Sequence, residues 1–96
     1  MIKFNLANKD DIQVLTFEIE GGIIEPSELR NIELELPKIN YSKLVAISGR
    51  GPVWLFSTLT HILHPSSAVA VCDPRLGYII VESHVTKFQV GDVIPV

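Results

Sequence analysis

The stretch LVAISGRGPVWLFSTLTHILHPSSAVAVC, residues 44–72, decides the fold. Its two ends, LVAIS (44–48) and AVAVC (68–72), are short apolar runs bounded by turn residues, which reads as a pair of buried strands. Gly49 and Gly51 mark a loop after the first of them. Pro52 suits the opening of a helix that runs to about Leu63. Leu55, Phe56, Leu59, Ile62 and Leu63 recur at helical spacing and form its buried face. Pro65 disfavours helical geometry at His64, so the helix ends there. Strand, helix and strand at this separation make a β-α-β unit with parallel strands and a right-handed crossover. The fold class is α/β, with a Rossmann-like element at its centre.

Working outward, Ile2, Phe4 and Leu6 alternate with polar residues, as do Leu15, Phe17 and Ile19, so a strand is expected on each side of a turn at ANKDD. Gly21 and Gly22 stop the second strand. Pro26 opens a short helix over EPSELRNI, and IELEL after it alternates in a way that also suits extended chain. On the other side, DPRLG reads as a turn with Pro74 second and Gly77 at positive φ. YIIVES returns antiparallel, and GDVIPV supplies a last turn and short strand. The expected architecture is one small domain, residues 1–96, with a mixed sheet, one β-α-β unit, antiparallel hairpins and about two helices.

A chain of 96 residues with 47% hydrophobic and 20% charged residues is globular in class. It lies near the lower size limit for a self-sufficient core, which favours a homodimer at least. No apolar run is long enough to span a membrane, MIKFNLANKDD lacks the apolar core and cleavage pattern of a signal peptide, and one cysteine forms no internal disulfide; a cytoplasmic protein is expected. The net charge is −3, and the excess sits in residues 1–47, with five basic and eight acidic groups (5 − 8 = −3). That balance argues against non-specific binding to long nucleic acid. It leaves room for a small anionic ligand held by a few local groups. The EIEGGIIE stretch, residues 18–25, is expected to be a solvated acidic face.

From Gly51 to Cys72 there is no Asp, Glu, Lys or Arg, and Arg50, Asp73 and Arg75 bracket that run. Parallel strands end at one edge of a sheet, and open α/β sheets bind ligands at that carboxyl edge. The SGRG loop, the DPR turn and the start of the helix all fall there. Ser48 offers a hydroxyl, Gly49 and Gly51 permit close backbone approach, and the helix N–H groups after Pro52 attract anions. Arg50 and Arg75 can grip phosphate. SGRGP lacks the lysine and the spacing of a P-loop. The plainer reading is an ordinary glycine-rich turn with an Arg75–Asp73 surface pair.

Ser57, His61 and His64 share a helix face, and His61 and His64 lie about 15 Å from the helix start. The strand leading to His84 runs back antiparallel, so all three histidines gather at the far edge. Three imidazoles can hold a transition metal or move protons. They equally suit a helix C-terminus, where the dipole favours them. Trp54 reads as a core or interface residue, with base stacking as its alternative, and Cys72 as a buried thiol rather than a nucleophile.

In order and spacing, ISGRGPVWL, His61-x-x-His64, DPRLG, ESH and GDVI resemble the third family of CRISPR-associated ring nucleases, over roughly Ser48–Ile94. The resemblance implies a divergent Rossmann-like domain, CARF-like in being related to the sensor domains that bind cyclic oligoadenylates. It implies an Mn²⁺-dependent phosphodiesterase of type III CRISPR systems that opens cyclic tetra-adenylate and so switches off the antiviral signal. It also brings a description as a 3′-exonuclease on RNA oligoadenylate tails, so short RNA is a further partner. By motif, Ser48 to Pro52 bind ligand, with Ser48 and Arg50 foremost; His64, Asp73 and Arg75 are needed for activity; His61, His84 and Asp73 are candidates for the metal. Such proteins are thought to stack homodimers head to tail around the ligand. A sensor of the same ligand without catalysis is the alternative.

Overall fold

Two crossovers run in the same direction across one six-stranded sheet. A computed structural model describes residues 1–95; Val96, which closes the GDVIPV segment, lies outside the described residues. The strands are β1 (Ile2–Lys9), β2 (Ile12–Ile19), β3 (Leu44–Gly49), β4 (Ala68–Asp73), β5 (Gly77–Ser83) and β6 (Val93–Ile94). They lie side by side in sequence order. β2, β3 and β4 are parallel, and β1, β5 and β6 each join antiparallel. The mixed α/β sheet is as expected. The second parallel pair, β2 with β3, is not, because nothing within a hairpin states which strand its outer edge will meet.

Helix α1 (Ile32–Glu35) follows a 3₁₀ helix over Pro26–Asn31, and helix α2 spans Val53–Ile62. The extended option for IELEL is overturned. Its alternation misleads because Ile32 is wholly buried while Leu34 points outward, 85% exposed. Leu29, Ile32 and Leu36, spaced by three and four, all pack on the core, and that is a helical stripe.

The main core lies between the sheet and these helices. Leu55, Leu59 and Leu63 from α2 pack with Ile32 against Leu15, Phe17, Val45, Ile47 and Val69. On the opposite face, Leu44, Ala46, Ala68, Ala70 and Ile80 are covered by Ile12, Tyr78, Phe88 and Ile94, with no helix residue among them. Both crossovers therefore place their helices on one face. The strand order never reverses, so the sheet has no switch-point crevice of the doubly wound kind.

One buried polar side chain ties the first crossover down. Gln13, on β2, is 1% exposed. Its amide donates to the Asn40 carbonyl at 2.7 Å and accepts the Asn40 N–H at 2.8 Å. A peptide group that would otherwise lose water on burial is thus fully paired.

Candidate functional site

The two ends of the parallel strands carry different chemistry. At the carboxyl end, the loop after β3 and the turn after β4 lie side by side, since Ile47 pairs with Val71. A cleft of about 470 Å³ opens here, lined by Phe17, Glu18, Ile19, Gly22 and Ile24 on one wall and Arg50, Gly51 and Pro52 on the other. The EIEGGIIE stretch is therefore not merely a solvated face. The β2–β3 pairing sets the end of β2 beside the end of β3, and residues 18–24 become a wall of the cleft. Ser48 and Gly49 stand outside the lining.

The two glycines have a packing reason to be glycine. A Cβ on Gly49, whose φ is +153°, would sit 2.7 Å from the Phe17 carbonyl oxygen and 2.8 Å from the Phe17 ring. A Cβ on Gly51 would lie 2.8 Å from the same ring. The close approach these residues permit is to Phe17, itself 2% exposed. Gly49→Ala should lower stability by about 1–3 kcal/mol through overpacking. Thermal denaturation should then show a Tm on the order of 10 °C lower; an unchanged Tm would count against this reading.

Asp73 and Arg75 occupy the same edge. Asp73 Oδ1 accepts the backbone N–H of Arg75 at 2.8 Å and of Leu76 at 3.1 Å. Pro74 takes the second position of the turn and Gly77 has φ +120°, as expected. Arg75 extends into solvent, its Nε 3.8 Å from Asp73 Oδ1, too loose a pair to hold the side chain.

At the opposite edge, His64, Glu82 and His84 converge, with donor atoms all within 4.8 Å of one another. His64 follows the end of α2, whereas Glu82 and His84 come from the end of β5. Glu82 Oε1 pairs with His64 Nδ1 and lies 3.5 Å from His84 Nε2. The two imidazoles meet edge to face, with centroids 4.7 Å apart. His84 Nε2 is 3.1 Å from the His64 carbonyl oxygen, a contact that is a hydrogen bond in the tautomer with hydrogen on Nε2. Two imidazoles and a carboxylate from different elements are a donor set that fits a first-row divalent ion, Mn²⁺ among them.

Glu82 reaches this group through an irregularity in β5. Ser83 faces Ala68 and Glu82 faces Val69, but Ala70 faces Ile80. The register shifts by one, leaving Val81 without a partner. In a regular strand Glu82 would fall on the same face as Ile80, away from α2. The bulge returns it to the α2 face, next to His64, which is a recognised use of bulges. Glu82 was not singled out from sequence. The available signal was its i, i+2 spacing to His84 on a strand end.

His61 is exposed on the last turn of α2 and is not among the three converging groups. Asp73 lies at the other end of β4 from the residue facing Ser83. Five residue steps separate those ends, roughly 16 Å. Within one protomer, Asp73 therefore cannot share an ion with His84, and His64 is likewise separated from Asp73 and Arg75. Trp54 packs partly buried against the main core. Cys72 is a half-buried free thiol. No helix of the described residues is long and apolar enough to cross a membrane.

Two comparisons bear on this arrangement. Residues 17–95 match the family model described as CRISPR-associated protein (Cas_csx3). The chain is also similar to an uncharacterized protein of Aquifex aeolicus (strain VF5), 38% identical over 88 residues, covering 88% of this chain and 78% of that one. The match takes in both polar edges, the end of β2 and all of β3 to β6, so the chain belongs to the Cas_csx3 family of CRISPR-associated proteins.

Proposed function

We propose that this protein is a metal-dependent phosphodiesterase that opens cyclic tetra-adenylate and so ends type III CRISPR signalling. The observation that carries this reading is the separation of two polar sets on one sheet. One edge holds an arginine-walled cleft, and the other holds a carboxylate bridging two histidines. Membership of a CRISPR-associated family supports it. The α/β sheet is read as a divergent Rossmann-like, CARF-like domain whose helices have collected on one face.

The chemistry is attack on phosphorus by water or by a ribose 2′-hydroxyl, with loss of the bridging ribose oxygen. One P–O bond forms, one breaks, and the departing oxygen takes up a proton. Arg50 binds a phosphate and orients the ring. His64 exchanges a proton with the attacking or departing oxygen. Glu82 holds both imidazoles in place. Glu82 and His84 would hold Mn²⁺, which when bound offsets negative charge on the phosphate, and the outer ring nitrogen of His64 stays free for that proton. His61 stands on the preceding helical turn as a peripheral group.

Both edges reach one phosphodiester only if they come from different copies. Homodimers stacked head to tail satisfy this, with one dimer gripping the ring and the next presenting its histidines. A two-fold dimer also suits a ligand with its own rotational symmetry. The test is incubation with cyclic tetra-adenylate with and without Mn²⁺, followed by product chromatography. Linear oligoadenylate formed only with the metal is expected. Tight binding with no product at any Mn²⁺ concentration would leave a sensor instead. Faster trimming of a 3′-oligoadenylate RNA tail would leave an exonuclease.

A further inference from the structure

A second cleft, of about 410 Å³, is lined by Asp11, Ser42, Lys43, Leu44, Ser67, Val85, Lys87 and Phe88. It adjoins the histidine cluster. Val85 follows His84 in the chain, and the His84 N–H donates to the Ser67 carbonyl at 2.9 Å. Resting on the phosphodiesterase reading, we propose that this cleft is a phosphate subsite: Lys43 and Lys87 hold the oligoadenylate phosphate next to the one placed at His64, Glu82 and His84.

Charge points to an anion. The chain carries eight basic residues and a net charge of −3, yet two of the eight line this one concavity against a single carboxylate. Lys43 is half-buried and has no ion-pair partner among the described residues. Lys87 Nζ lies 3.5 Å from Asp11 Oδ2, with both side chains mostly exposed. Such a pair contributes little, so Lys87 can turn to a phosphate at small cost.

The walls are fixed in advance. Ser67 N–H donates to the Tyr41 carbonyl at 3.0 Å, which ties the start of β4 to the segment before β3. Asn40 Oδ1 accepts from Ser42 N–H at 3.1 Å and from its hydroxyl at 2.6 Å, while Gln13 clamps Asn40 from below. On the far wall, the Ser83 hydroxyl donates to the Phe88 carbonyl at 2.7 Å. The lysine stems therefore leave from anchored backbone on both sides, and less ordering is needed on binding.

The probe is the linear dinucleotide 5′-pApA without metal. It is titrated into Arg50→Ala protein, so that the opposite edge does not contribute, and followed by amide chemical shifts. Shifts at Ser42, Lys43, Ser67 and Val85 to Phe88 are expected. Adding Lys43→Gln and Lys87→Gln should weaken binding about ten-fold and flatten its salt dependence by about two phosphate contacts. With Arg50 intact, the two lysine substitutions should raise KM for cyclic tetra-adenylate about ten-fold and leave kcat within about two-fold. Shifts confined to other regions, or equal affinity with and without the lysines at unchanged Tm, would overturn the subsite. If the unsubstituted protein fails to cleave the ring, the phosphodiesterase reading falls, and the pApA titration still decides whether the cleft binds phosphate.

Discussion

Glu82→Gln is expected to reduce cleavage of cyclic tetra-adenylate by roughly a hundred-fold or more while leaving the protein folded. The substitution keeps the shape of the side chain and removes its charge. One oxygen of Glu82 faces both His64 Nδ1 and His84 Nε2. A neutral amide offers a cation a poorer ligand and holds the two imidazoles less firmly, so metal affinity and rate fall together. Mn²⁺ titration by calorimetry should show weaker binding, and initial rates should recover in part at high Mn²⁺. A Tm close to that of the unsubstituted protein is expected, because the carboxylate lies on a partly exposed edge and not in the core. An unchanged rate would remove Glu82 from the chemistry and with it the meaning given to the bulge at Val81.

Mixing two inactive proteins should restore activity. Arg50→Ala loses the grip at one edge, and His64→Ala loses the chemistry at the other. Each alone should cleave at least about a hundred-fold more slowly. In an equal mixture, a site needs Arg50 from one copy and His64 from another, so on the order of a quarter of the sites regain both groups. The recovered rate should depend on the mixing ratio and be greatest near equality. The reasoning rests on distance: ten residues of α2 separate the two groups, roughly 15 Å along the helix axis. No side-chain rotation brings them to one phosphorus atom. Failure to recover, with exchange of subunits demonstrated, would mean that one edge alone performs the reaction.

The β-α-β unit was legible because each of its boundaries is written in local chemistry. Two apolar runs are separated by a glycine loop, a proline start and a proline stop, and the helix between them buries Leu55, Leu59 and Leu63 as its spacing requires. The turn at Asp73–Leu76 was legible for the same reason. The region around α1 was not, since IELEL satisfies a two-residue period as well as a helical one. Only the burial of Ile32 beside an exposed Leu34 separates the two. The glycines of the SGRG loop were read as permitting close approach to a ligand, whereas the group they admit within the fold is Phe17, a residue more than thirty positions earlier in the chain.

The sequence by itself determined the chemical inventory and the sorting of that inventory to opposite edges, because alternation, helix spacing and proline placement act between near neighbours. Tertiary structure alone decided the composition of each site. The parallel pairing of β2 with β3 built a wall for the arginine cleft out of residues 18–24, and a one-residue slip beside Val81 turned Glu82 toward His64. Both outcomes depend on how separate strands align. That alignment is set by the total burial on two sheet faces, which no local window of sequence contains.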